Sequence, residues 1–103
     1  MDNLVNGSAL EGIKVLDLGQ MVAAPFCTSI MADMGAEVLK IESVTGDISR
    51  NSMPKVDGIS TYYVTFNRSK KGTTLNLKSE KGKEILCKLI ADSIPGYNSL
   101  YVL

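Results

Sequence analysis

The sequence predicts an α/β fold: a partial, Rossmann-like parallel sheet that begins with a β-α-β unit. Two observations predict it. A short aliphatic, β-branched segment precedes an amphipathic helical pattern, and a second such segment follows it. The helical pattern is also bounded by Pro25 and Gly35, a proline near its start and a glycine at its end. One helix between two strands favours parallel pairing through a right-handed crossover.

The first strand is predicted at residues 13–18, with Gly19 at its end. The helix is expected to begin with Pro25 at its first position and to run to about Met34, where Gly35 supplies a left-handed stop. A second strand is predicted at residues 37–42. The apolar helix positions recur at spacings of three and four and are expected to form core against the sheet; they are Phe26, Ile30, Met31 and Met34.

Residues 43–60 contain Gly46, Pro54 and Gly58 with several serines and mixed charges, which predicts a long loop of functional interest. Residues 61–66 fit either a strand or a short helical turn, and a third strand is predicted at 73–77. Ser79 is expected to cap a helix that runs to about Asp92. The apolar side of that helix would consist of Ile85, Leu86, Leu89 and Ile90.

Three regions follow from these elements. Residues 1–9 are predicted to be a flexible N-terminal arm, and residues 10–92 a partial α/β domain. Residues 93–103 are predicted to be a divergent tail with no element to complete a domain, because their apolar residues follow a turn and have nothing to pack on. We interpret this tail as a truncation.

Composition limits the classes of partner. Lys plus Arg and Asp plus Glu both number 11, so the net charge is zero and favours neither nucleic acid nor membrane as a partner. No signal peptide or membrane-spanning run is recognisable, and the two cysteines lack metal-binding or disulfide-framework spacing. These features indicate a cytoplasmic protein with reduced thiols.

Common catalytic groups are scarce. The chain has no histidine and no cluster with metal-ligand spacing, so metal binding is not expected. Cys27 near the helix start could be an activated thiolate, although a small core residue is the commoner role there. Isolated carboxylates such as Asp17 and Asp47 are expected to be solvated, to cap, or to bond backbone. Glu42 would suit a ribose contact in a dinucleotide site, but only Gly19 stands where GxGxxG requires three glycines.

A ligand is nevertheless expected at the turn spanning residues 20–25, since that turn lies at the carboxyl edge of the predicted parallel sheet. A basic segment further along the chain comprises Arg68, Lys70, Lys71 and Lys78. It could be a solvated loop, or it could clamp a polyanionic cofactor through its ammonium and guanidinium groups.

Several motifs occur together in order. They are residues 10–18 (LEGIKVLDL), 24–28 (APFCT), 32–42 (ADMGAEVLKIE), 46–47 (GD), 66–71 (FNRSKK) and 75–79 (LNLKS). This series resembles the N-terminal segment of the family III CoA-transferases, the CaiB/BaiF family, and is formyl-CoA transferase-like. The loop from Gly46 to Asn67 is more similar to the transferase branch than to the related α-methylacyl-CoA racemases.

The resemblance implies coenzyme A or an acyl-CoA as substrate, with a carboxylic acid as acceptor, and an interlocked homodimer in the full-length form. Carried over by position, it assigns the thioester arm to Gln20, Met21, Val22 and Ala23, and the nucleotide to Leu75 and Lys78. Ser43 stands where the family often has a nucleotide-contacting arginine.

The resemblance also implies a mechanism through an aspartyl-CoA intermediate. The attacking aspartate of the family lies C-terminal to the matched region, so no catalytic residue is assigned and the chain is expected to be inactive alone. A non-catalytic CoA-binding or interaction module, or a segment of an α-methylacyl-CoA racemase, remains as an alternative.

Overall fold

The computed structural model describes residues 8–93 and 99–102, and these ranges fold around a four-stranded sheet and a small hairpin. In chain order the elements are β1 (Lys14–Asp17), α1 (Ala23–Asp33), β2 (Glu37–Glu42), a 3₁₀ helix (Ile48–Asn51), β3 (Lys55–Val56), β4 (Ile59–Ser60), α2 (Thr61–Asn67), β5 (Lys71–Thr74), α3 (Glu80–Ser93) and β6 (Ser99–Val102).

The main sheet has the strand order β5-β2-β1-β6, and every neighbouring pair in it is parallel. The carboxyl ends of its strands therefore meet at one edge. Strands β3 and β4 form a separate antiparallel pair. The predicted α/β fold with a parallel, Rossmann-like sheet is confirmed.

The β-α-β unit supplies the core of the described structure. Val15 of β1 and Val38 of β2 are buried side by side, in register, and Ala36 completes the cluster. Met31 of α1 packs against it, as its position in the apolar stripe predicted. Gly35 has a φ of 102°, the left-handed conformation expected where this helix stops.

The rest of the apolar stripe on α1 is not core. Phe26, Ile30 and Met34 are 48%, 42% and 43% exposed, so the expectation that they are buried was wrong. The helix instead buries a polar face, because Thr28 and Ser29 donate hydrogen bonds to Asp17 and to the Phe66 carbonyl. Helical periodicity identified the side chains that share a face without determining which face meets the sheet.

Helix α1 also begins earlier than predicted. Its first residue is Ala23, so Pro25 occupies the third helical position rather than the first. Proline is tolerated there because the amide groups of the first turn have no partner within a helix. The change shortens the turn that precedes the helix.

The segment between β2 and β5 is more ordered than a plain loop. It contains the 3₁₀ helix and the hairpin, and Asp47 caps the 3₁₀ helix by accepting from the Ser49 amide at 2.9 Å. Residues 61–66, left open between strand and helix, belong to α2. Ser60 caps α2 by accepting from the Tyr63 amide, and Tyr62 packs edge-on against Phe66, four residues later.

Strand β5 lies two to three residues before its predicted position. The strand ladder with β2 ends where the Leu75 amide donates to the Glu42 carbonyl, and the chain then turns at Asn76, which accepts from the Lys78 and Ser79 amides. Ser79 caps α3, as predicted, by accepting from the Gly82 amide at 3.0 Å. Residues 75–77 therefore leave the sheet at its carboxyl edge.

The C-terminal region contains an element that the sequence reading missed. Residues Ser99–Val102 form β6, which pairs with β1 in parallel, so the expectation of a tail without a partner was wrong. Residues 1–7 of the predicted arm, with 94–98 and 103, lie outside the described residues. No helix within the described ranges is long and apolar enough to cross a membrane.

Candidate functional site

A cavity of about 300 Å³ opens at the carboxyl edge of the sheet, where β1, β2 and β5 end. Three segments form its walls, one after each of these strands. Its lining consists of Leu18, Gly19, Gln20, Ile41, Glu42, Ser43, Val44, Thr45, Gly46, Asp47, Leu75, Asn76, Leu77 and Lys78. A cavity of useful size therefore lies at the predicted edge, and of the predicted turn at residues 20–25 it is Gln20 that lines it.

The cavity brings together predicted residues that are distant in sequence. Gln20 from the turn after β1 lines it with Leu75 and Lys78 from the segment after β5. Met21, Val22 and Ala23 lie beside it, exposed, and are outside its lining.

Sequence reasoning assigned no ligand contact to residues 44–46, which form one wall. Their signal was positional, because they directly follow β2 at the same edge of the sheet.

The turn after β1 is held by buried side chains. The Gly19 amide donates to Asp17 at 2.9 Å, and its carbonyl accepts from Lys40 Nζ at 3.1 Å. The Met21 amide donates to Asp47 Oδ1 at 3.2 Å. Met21 has a φ of 63°, a left-handed conformation that few residues other than glycine adopt. Three backbone contacts thus fix a turn whose geometry is unfavourable on its own.

Lys40 and Asp47 form an ion pair behind this turn. Their charged atoms lie 2.8 Å apart, and both side chains are almost completely buried. Burial alone would raise the pKa of Asp47, but the bond from Lys40 and those from Ser49 and Met21 outweigh it and lower that pKa. The carboxylate is therefore held ionised inside the fold.

A second buried pair joins Asp17 and Lys70. Lys70 Nζ lies 2.9 Å from Asp17 Oδ2 and also donates to the carbonyls of Pro25 and Phe66 and to Asn67 Oδ1. Burial lowers the pKa of Lys70, and the bond to Asp17 opposes that shift. The expectation that isolated carboxylates would cap or bond backbone fits Asp17 and Asp47, although each also has a buried lysine partner.

The basic segment does not act as a unit. Lys70 is directed into the fold, Arg68 pairs with Asp33, and Lys71 forms an exposed pair with Glu37 at 3.4 Å. Of the predicted clamp, Lys78 lines the cavity.

Glu42 occupies the junction between the cavity and the following loop. Its carboxylate accepts two hydrogen bonds from Arg50, at 2.8 and 2.7 Å, and one from the Asp47 amide at 2.7 Å. The Arg50 bonds lower the pKa of Glu42 against the opposing effect of burial. Glu42 therefore organises the loop after β2, which differs from the ribose-binding role considered for it.

Tyr63 completes this group from α2. Its hydroxyl accepts from Arg50 at 2.8 Å, and the Arg50 guanidinium lies 4.0 Å from the centre of its ring. Burial, with the nearby Glu42 charge, raises the pKa of Tyr63 to about 12. Arg50 and Tyr63 also line a second, polar cavity of about 360 Å³ beside β5.

Cys27 is exposed on α1, so the interpretation of it as a small core residue was wrong. Cys87 is exposed on α3. Within the residues that the structure describes, no group of three or more His, Cys, Asp or Glu side chains could hold a metal ion.

Comparison with known proteins identifies the class of protein that this fold and edge cavity define. The sequence profile described as CoA-transferase family III matches residues 10–93. The chain belongs to CoA-transferase family III, so the resemblance found in its motifs is confirmed.

Curated relatives include formyl-CoA:oxalate CoA-transferase of Streptomyces avermitilis, 47% identical over 82% of this chain and 21% of that protein. Human succinyl-CoA:glutarate CoA-transferase is 44% identical over 84% of this chain and 20% of that protein. The chain thus spans about a fifth of the length of the curated relatives it matches.

Among solved structures, a CaiB/BaiF family protein from Brucella suis superposes with a TM-score of 0.77 at 33% sequence identity. The superposition covers 84% of this chain and 24% of that structure.

Proposed function

We propose that the chain forms the coenzyme A-binding edge of a family III CoA-transferase. The observation that carries this proposal is the cavity in which Gln20, Leu75 and Lys78 meet at the carboxyl edge of the parallel sheet. That edge is where open α/β folds bind ligands. Relatives named for formyl-CoA:oxalate and succinyl-CoA:glutarate transfer support CoA thioesters as the ligand class.

The proposed assignments divide the ligand between two walls. Gln20, Met21, Val22 and Ala23 accommodate the thioester arm, with Gln20 directed to the cavity and the other three extending the surface beside it. Leu75 and Lys78 receive the nucleotide end. The Lys78 ammonium suits a phosphate as a point charge, and the Leu75 side chain suits the apolar face of a base.

The activity proposed for the full-length enzyme is transfer of CoA between carboxylic acids in a cytoplasmic, interlocked homodimer. An aspartate outside the matched region would attack the acyl-CoA and carry CoA as an aspartyl-CoA thioester. The residues on this chain would then bind and orient CoA without supplying the nucleophile. We therefore expect the chain alone to bind CoA without turnover, because positioning does not replace the covalent step.

Titration of the full chain with CoA by calorimetry tests the binding proposal. Saturable binding is expected, and Lys78→Ala should weaken it roughly tenfold by removing one charge-assisted contact. Lys14→Ala is the matched control, since Lys14 is an exposed lysine at the start of β1, the end of the strand away from the cavity. Absence of saturable binding by the parent chain would overturn the proposal, as would equal effects of the two substitutions.

A turnover assay separates a binding segment from an active transferase. The chain is mixed with an acyl-CoA and an acceptor acid, and the new thioester is followed by chromatography. No transfer above background is expected. Sustained transfer would show that the chain supplies its own nucleophile.

A further inference from the structure

The buried ion pair of Lys40 and Asp47 has no evident value for stability alone. Removing two charges from water is costly, and an apolar pair of similar volume is commonly as stabilising or more so. Both side chains nevertheless lie 0–1% exposed, with Nζ and Oδ2 2.8 Å apart. Each member also makes a second contact to the same short stretch of backbone.

Those second contacts converge on the turn after β1. Lys40 Nζ donates to the Gly19 carbonyl, and Asp47 Oδ1 accepts from the Met21 amide. Gln20, between them, lines the cavity. The pair thus holds the backbone on both sides of Gln20, while Met21 keeps the unfavourable φ of 63°.

Asp47 is itself held in place by neighbouring residues at the end of β2 and in the loop that follows it. Its amide donates to Glu42 at 2.7 Å, and its Oδ1 also accepts from the amide and hydroxyl of Ser49. These bonds place the carboxylate before any ligand arrives. Lys40 extends from β2 and Asp47 lies in the loop after it. Lys40 therefore connects the turn to the sheet, and Asp47 connects it to that loop.

We propose that Lys40 and Asp47 are positioning residues that hold the Gly19–Met21 turn in the conformation that accepts the thioester arm of CoA. This inference rests on the proposed CoA site. It predicts that disrupting the pair weakens the binding of the thioester arm and leaves the contacts of the nucleotide end at Leu75 and Lys78 unchanged. A purely structural role would weaken both ends together.

The test compares two double variants of the full chain. Lys40→Met with Asp47→Leu removes both contacts to the turn, together with the Asp47 bonds to Ser49, and leaves an apolar pair, which should fold. Lys40→Met with Asp47→Asn keeps an acceptor for the Met21 amide and should recover part of the affinity. Lys71→Met with Glu37→Gln is the matched control, because it removes an exposed lysine–carboxylate pair of the same sheet.

Two ligands separate the arm from the nucleotide. The double variant Lys40→Met with Asp47→Leu should bind CoA about tenfold more weakly than the parent, as expected for the loss of one or two backbone hydrogen bonds. Its affinity for adenosine 3′,5′-bisphosphate, which lacks the arm, should stay within twofold of the parent. An unchanged CoA affinity would overturn the proposal, and so would an equal loss for both ligands.

Hydrogen exchange measured by mass spectrometry gives a readout that does not depend on ligand. The double variant Lys40→Met with Asp47→Leu should exchange faster in the peptide covering the turn, while β1 and β2 keep the protection of the parent. Unchanged protection of the turn, or loss throughout the sheet, would contradict the positioning role. If the parent binds no CoA, the proposed function and the arm assignment both fail, and the exchange data alone decide whether the pair holds the turn.

Discussion

Lys70 Nζ lies 2.9 Å from Asp17 Oδ2, although 53 residues separate them in the chain. The contact joins the segment between α2 and β5 to the carboxyl end of β1. Thr28 of α1 donates to the same carboxylate oxygen at 2.6 Å. Three parts of the chain therefore meet at one buried carboxylate near the carboxyl edge of the sheet, and the lysine is buried among internal hydrogen-bond partners.

Lys70→Met is expected to destabilise the chain by roughly 3–5 kcal/mol, because it leaves the Asp17 charge buried without its cation. For a small domain this is a large share of the total stability. Urea denaturation followed by circular dichroism measures the loss. Lys71→Met is the control and should cost less than about 1 kcal/mol, since its pair with Glu37 is exposed. Similar losses from the two substitutions would contradict the role assigned to Lys70.

Acid should weaken the fold through Glu42. Its pKa in the folded chain lies below the ordinary value of 4.5, so its stabilising effect is complete above that value and is lost as the pH falls through the folded pKa. Glu42→Gln should cost about 1 kcal/mol at pH 7, since the half-exposed Arg50 partner is screened by solvent.

The same Glu42→Gln variant should show a shallower decline in stability than the parent as the pH falls below about 5. Thermal melts across this range test the slope, with Glu84→Gln on the exposed face of α3 as the control. A parent and a Glu42→Gln variant with parallel acid profiles would exclude this contribution.

Gly82 should tolerate no side chain. A Cβ at this position would clash with the Asn76 carbonyl oxygen, so Gly82→Ala must displace the start of α3 or the segment that carries Lys78. We expect a loss of about 2 kcal/mol or more, in the range of overpacking. Gly72→Ala is the matched control, because a Cβ there meets no atom within 4 Å. Equal melting temperatures for both variants would show that the Asn76 contact is not close.

The exposed stripe on α1 should promote association between chains. Phe26, Ile30 and Met34 recur every four residues and are each more than two-fifths exposed. Ile30→Lys is expected to shift the chain toward monomer at concentrations where the parent associates. Sedimentation velocity measures the shift, with Thr73→Lys on exposed β5 as the control for added charge. A parent that stays monomeric at high concentration would refute this expectation.

The pattern of the sequence located the β-α-β unit and the sheet edge at which the cavity opens. Aliphatic segments flanking a punctuated helix are local signals, and they located β1, β2 and their parallel pairing. Strand β5 was placed late because the Asn76 turn, which ends the ladder, depends on side-chain hydrogen bonds rather than on hydropathy.

Long-range partners were beyond the same reasoning. Lys70 and Lys71 are adjacent in sequence, yet one is buried against Asp17 and the other is exposed near Glu37. Residue type and local sequence do not distinguish the two lysines, because the tertiary fold determines which of the side chains is buried. The stripe on α1 was misread for the same reason, because the buried face was selected by the bonds of Thr28 and Ser29.

The order in which the sheet can form follows from the position of β6. Its pairing with β1 joins Lys14 to Ser99, about 85 residues apart, whereas the β1–β2 pairing joins Lys14 to Glu37, about 23 apart. Closing the longer loop costs roughly 1 kcal/mol more in chain entropy. Early folding events should therefore assemble β1, α1 and β2, with β6 docking late. Transient detachment of this last strand would leave the local contacts of the β-α-β unit in place.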